Sequence, residues 1–118
     1  MTSTRRADLG GFIAALDLQD DAPALPSHIV EMKGDSMAPT INSGDRVLVD
    51  ERFRFPSPGG VFVYWEDGEP VISRMEYQPY TDPPVLTVIR DNRHYSSFEI
   101  PARDLAIAGR VTWIARRT

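Results

Sequence analysis

The sequence predicts a mostly β domain of about six to seven strands. Three observations carry that expectation. Short apolar runs rich in β-branched residues recur from residue 28 onward. Proline, glycine and aspartate clusters punctuate them. Little of the chain after residue 27 is left over for helix, beyond the turn that follows Ser36.

Taken in order, residues 28–32 (His-Ile-Val-Glu-Met) and 46–50 (Arg-Val-Leu-Val-Asp) are short apolar strands on either side of a serine-bearing turn. Val61-Phe62-Val63-Tyr64-Trp65 is a continuous β-branched and aromatic run, suited to a strand buried on both faces. Asp67-Gly68 is a hairpin signal that pairs this run with residues 71–77. Pro79, Pro83 and Pro84 mark a loop, and residues 85–90 and 106–115 supply two more strands. Pro58-Gly59-Gly60 reads as a hairpin connection. It opens a strand and no lysine follows it, so it is not a phosphate-cradling loop.

The chain divides near residue 27, into an arm or short helix over 1–27 and a body over 28–118. In the arm Leu9, Phe12, Ile13 and Leu16 fall at i, i+3, i+4 and i+7, one face of a helix. Gly10 and Gly11 oppose that helix by about 1 kcal/mol each. A short helix docking on the body or on a partner, and a partly ordered arm, both remain open.

Composition bounds the function. The 118 residues suffice for one core and not for two. Charged residues at 25% and apolar ones at 42% put the chain in the ordinary globular class. No apolar run approaches the ~20 residues of a membrane span. No basic segment leads into an apolar export signal either, so the expected location is cytoplasmic. The formal net charge of −4 argues against direct nucleic-acid binding. Two separated histidines and no cysteine form no metal-ligand set, and no cofactor is expected.

The chemistry-bearing feature is Lys33-Gly34-Asp35-Ser36-Met37, followed by Ala38-Pro39-Thr40 and Gly44-Asp45. Gly34 can take backbone angles that other residues resist. Asp35 and Ser36 are the short polar residues that turns recruit. Such a turn exposes the Ser36 hydroxyl and aims backbone N–H groups, that of Met37 among them, near it. Acyl transfer needs both. The plainer alternative is a serine that caps a helical stub.

The string Val30-Glu31-Met32-Lys33-Gly34-Asp35-Ser36-Met37-Ala38-Pro39-Thr40-Ile41, running on to Ser43-Gly44-Asp45-Arg46-Val47, resembles the nucleophile segment of the LexA-like family. These are the S24 peptidases, which share a core with type I signal peptidases. Asp91-Asn92-Arg93-His94-Tyr95 is similar to the family's Asp-Asn-x-x-Tyr loop. Ala108-Gly109-Arg110-Val111-Thr112-Trp113 is similar to its closing Gly-Arg-Val strand. The resemblance covers roughly residues 28 to 115. It implies a LexA/signal-peptidase-like β-structure with Ser36 as nucleophile and the Met37 N–H as oxyanion donor.

The family's base is a lysine, which must be held neutral in apolar surroundings to take the serine proton. Here the matching stretch is Pro70-Val71-Ile72-Ser73-Arg74-Met75, and Ser73 occupies the lysine's place. Arg74 should point to the opposite face from Ser73, and a guanidinium does not deprotonate. Lys33, the single lysine, is expected on the strand entering the turn. His94 is expected at the surface, His28 as a solvent cap on the first strand, and Asp35 as a turn-stabilising side chain.

The resemblance also implies homodimers held through edge strands near the C-terminus, here residues 106–115 with Trp113 and Ile114 as an apolar anchor or as ordinary core. Relatives often carry an N-terminal DNA-binding domain and a cleavage loop well before the serine. Counting back from Ser36 nearly reaches residue 1, so little or no cleavage loop is expected, and the domain is either part of a repressor or free-standing. The leading expectation is an inactive regulatory domain, dimerising or binding a regulatory partner of a repressor-type transcriptional regulator. Whether the chain is an enzyme stays open. The alternatives are a serine peptidase using Ser36 with a non-standard base, and a peptide-binding module using the former cleft.

Overall fold

A computed structural model of the chain describes residues 27–116. The arm and its apolar stripe lie outside those residues. Seven strands appear in the order β1 Ser27–Glu31, β2 Arg46–Asp50, β3 Gly60–Glu66, β4 Glu69–Gln78, β5 Val85–Ile89, β6 Phe98–Pro101 and β7 Ala106–Ala115. A single 3₁₀ turn, Ala102–Asp104, leads into β7. No helix among the described residues is long and apolar enough to cross a membrane.

All seven strands join one antiparallel sheet, ordered β1-β2-β7-β3-β4-β5-β6. The β3–β4 hairpin forms where Asp67-Gly68 predicts it, with Glu66 opposite Glu69. Both turn residues take positive φ, 54° and 81°. That combination matches a two-residue turn whose twist suits the flanking strands.

β7 corrects two expectations. It is not an edge strand, because residues 106–110 pair with β3 while residues 110–115 pair with β2. Only one flank of residues 111–115 is left without a strand among the described residues. β7 also separates β2 from β3, so the Pro58-Gly59-Gly60 segment links non-neighbouring strands and closes no hairpin.

The alternation of side chains along β3 divides the core in two. Val63 lies on one face with Ile72, Val47, Val49, Met37 and Ile41. Phe62 and Tyr64 lie on the other with Met75 and Val88. Burial of Phe62, Val63 and Tyr64 on both faces explains why the run reads as unbroken and not as alternating, while Trp65 at its end is exposed. Phe62 is also capped by the Arg110 guanidinium, 4.6 Å from its ring centre, which in turn donates to the Pro58 carbonyl at 2.7 Å.

Gly109 sits where β7 passes closest to β2. A Cβ there would lie 2.5 Å from the Asp50 carbonyl oxygen and 2.8 Å from Val49 Cγ1. Backbone cannot step aside as a flexible side chain does. Gly109→Ala is therefore expected to destabilise the fold by about 1–3 kcal/mol, the usual overpacking range. A lowered midpoint in denaturant unfolding would register it, and an unchanged midpoint would refute the close approach.

Candidate functional site

The serine turn is built by glycine geometry and a short hydrogen-bond ladder. Gly34 takes φ +79°, a region that disfavours side chains with a Cβ. The chain then doubles back. The Ala38 N–H donates to the Asp35 carbonyl at 3.1 Å, and the Ile41 N–H donates to the Met37 carbonyl at 3.0 Å. The Met37 N–H takes no part in these bonds. The Met37 and Ile41 side chains are fully buried and pin the turn to the core face that holds Ile72. Ser36 is half-buried.

The Asp-Asn-x-x-Tyr loop braces this turn from the far end of the sheet. The Asn92 N–H donates to the Ser36 carbonyl at 3.0 Å, and Asn92 Nδ2 donates to the Asp35 carbonyl at 2.8 Å. The Tyr95 hydroxyl donates to Asp35 Oδ1 at 2.5 Å, and this bond to a carboxylate pushes the phenol above its ordinary pKa. Asp35 thus stabilises the turn, as its sequence position suggests. Asp91 receives both guanidinium nitrogens Nε and Nη2 of Arg74 at 2.8 Å, and accepts from the Thr40 hydroxyl at 2.6 Å. The Arg74 bond, helped by Thr40 and opposed by partial burial, holds the Asp91 carboxyl below the usual range.

A second latch comes from the C-terminal end. Arg116 donates through Nε to Asp45 Oδ2 and through Nη2 to the Thr40 carbonyl, both at 3.0 Å. Burial alone would raise the Asp45 pKa. The Asn42 N–H and Arg116 outweigh it, so the carboxyl is held low. Thr40 is therefore gripped by its hydroxyl from one side and by its carbonyl from the other. No sequence motif announced the Arg116 contacts; Asp45 is 71 residues away.

Ser36 lines a cleft of about 220 Å³ between two walls. Glu31, Met32 and Lys33 form one, and Glu69, Pro70, Val71 and Ile72 form the other. Lys33 lies beyond the end of β1, exposed, on the same cleft as Ser36; the strand expected to carry it stops at Glu31. Ser73 is fully buried and does not line the cleft. Its hydroxyl donates to the Ile89 carbonyl at 2.9 Å. Opposite it in the sheet stands Phe62, so Ser73 belongs to the face with Met75, while Ile72 and Arg74 belong to the other.

The histidines are elsewhere. His94 is exposed in its loop. His28 is not a solvent cap: it is 4% exposed and its Nδ1 is paired with Glu51. The pair lines a different cavity, with Arg54 and Trp65. Glu51 is 23 residues away in sequence, too far for the strand pattern alone to suggest it. No group of three or more His, Asp or Glu side chains among the described residues is arranged to hold a metal ion.

A family model described as Peptidase S24-like matches residues 12–112 of the chain. No curated protein matches it.

The Arg74–Asp91 pair carries a pH consequence. The folded pKa of Asp91 lies below its reference value of 3.8, so the stabilisation is complete above that value and disappears as pH falls through the folded pKa. Asp91→Asn should lower stability at neutral pH and flatten its decline below about pH 4. Urea unfolding of both proteins across pH 2–7 checks this; parallel curves would remove Asp91 from the brace.

Proposed function

From the premise that this chain belongs to the peptidase S24-like family, we propose that it is a non-catalytic regulatory domain, one that keeps the family's serine turn and has lost its base. The observation that carries the reading is the absence of a base from β4 on the cleft: Ile72 lines it, and Ser73, which the sequence match sets in the lysine's place, is buried on the other face and engaged with the Ile89 carbonyl. A hydroxyl is no general base, and forfeiting one typically costs ~10²–10⁴ in rate. In this reading Ser36 and the Met37 N–H remain as inherited nucleophile and oxyanion-donor positions, with nothing to draw off the proton.

The regulatory act we infer is assembly, as a homodimer or with a regulatory partner in a repressor-type regulator of transcription. Trp113 and Ile114 support it. They are 47% and 39% exposed at the end of β7, beyond Arg110, where pairing with β3 stops. A flank of strand left without a neighbouring strand among the described residues, beside two large exposed apolar side chains, is a natural seat for a second chain. The cleft itself, walled by residues next to β1 and by the start of β4, also suits an extended peptide held without cleavage.

One observation favours a second reading, a peptidase with an altered base: Lys33 shares the cleft with Ser36. Against it, Lys33 is exposed and stands among Glu31 and Glu69, without the apolar enclosure that a neutral amine requires.

Labelling with a serine-reactive phosphonate separates the two. The inactive reading expects Ser36 to label no faster than Ser36→Ala, and Ser73→Lys to leave labelling unchanged, because position 73 faces away from the cleft. Rapid labelling of the unaltered chain, abolished by Lys33→Met, would establish the altered base instead. For assembly, the mass in solution is expected to be that of a dimer, falling to a monomer in Trp113→Glu with the fold retained. A monomeric parent chain would end the dimer reading.

A further inference from the structure

The serine cleft does not stop at its own walls. Glu31, the last residue of β1, lines it and also lines a neighbouring cavity of about 410 Å³, shared with Asn42, Ser43, Gly44, Asp45 and Arg116. The two cavities meet at this one side chain and make a single groove.

The charges along the groove are unequal. Glu31 and Glu69 line the serine cleft on opposite walls, both exposed, against the single cation Lys33. Among the described residues no ion pair takes up either glutamate. Arg46 stands opposite Glu31 in the sheet, yet it lines a different cavity, beside Arg116. Asp45 and Arg116 are bonded to each other at 3.0 Å and so offset each other's charge. The rest of the cleft lining is apolar: Met32 and Ile72, both buried, with Pro70 and Val71.

An apolar floor beside two unpaired carboxylates fits one kind of side chain, a long apolar stem with a cationic tip. At about 220 Å³ the cleft falls below the roughly 300–1,000 Å³ of small-molecule sites, so it suits one side chain of a longer ligand. We propose that this ligand is an extended segment of a partner protein, selected by a lysine or arginine. Its stem packs on Val71 and Ile72, and its head lies between Glu31 and Glu69. The proposal rests on the peptide-holding reading of the cleft above and adds its selectivity. β1 has a strand on one side only among the described residues, which leaves an extended segment a path past Glu31 towards Arg116. The formal net charge of −4 attracts a ligand of the same sign.

The test uses pools of capped peptides, uncharged and random except at a central lysine, arginine, norleucine or glutamate, titrated into the full ¹⁵N-labelled chain. The lysine and arginine pools are expected to bind about tenfold more tightly than norleucine, the worth of one charge-assisted hydrogen bond. Amide shifts should gather at Glu31–Ser36 and at Val71 and Ile72. Glu31→Gln and Glu69→Gln should each close most of that gap at an unchanged denaturation midpoint. Equal binding of lysine and norleucine, no binding by any pool, or shifts confined to another surface would overturn the selectivity and leave the non-catalytic reading standing. Hydrolysis of the bound lysine pool, followed by mass spectrometry, would do the reverse: the non-catalytic reading would end and the cation preference would stand.

Discussion

The sheet depends on β7. It is the last strand in sequence and the one that joins two halves, β1–β2 on one side and β3–β6 on the other. Arg110 is the hinge of that join, opposite Asp50 in one pairing and Phe62 in the other. The close packing at Gly109 follows from the same demand, since β7 passes there between the two halves of the sheet. Because the contacts of β7 reach back some 60 residues, the fold is dominated by non-local pairing, a topology that forms slowly. The strand's continuation, Arg116, then carries the consequence of correct closure to the Thr40 carbonyl in the serine turn.

The turn is held in three places by parts of the chain distant in sequence: Asn92 and Tyr95, Asp91 with Arg74, and Arg116 with Asp45. This is more bracing than a capping serine needs, and it accounts physically for the Asp-Asn-x-x-Tyr pattern. Asn92 reads backbone carbonyls and so fixes the turn's shape, whereas Asp91 balances charge. Ser73 fills its position with a satisfied hydroxyl, avoiding the ~1–3 kcal/mol that an unpaired buried polar group would cost. The frame of the turn thus does not depend on position 73.

Local signals made much of this legible. Asp67-Gly68 specified its hairpin, the β-branched run specified a strand buried on both faces, and Gly34-Asp35-Ser36 specified the turn. Each is a short-range preference of the backbone or of side-chain alternation. What the sequence hid was order and depth. Nothing in residues 106–115 says that they lie between β2 and β3, because strand order is decided by packing across the whole sheet. Likewise His28 looked like a polar start to a strand, since its burial is stabilised by Glu51, which only the folded chain brings near. Lys33 lies on the cleft beyond the end of β1, which stops at Glu31, one residue short of the apolar run 28–32.

Lys33 is also the only lysine of the protein. Apart from the α-amino group, every primary amine the chain can offer therefore sits on the wall of one cleft, three residues from a serine. An electrophile drawn to that hydroxyl meets a second nucleophile on arrival. The added mass of an adduct would place it in the right cleft without saying which atom holds it, and an amine-selective reagent would report on access to the serine without touching it.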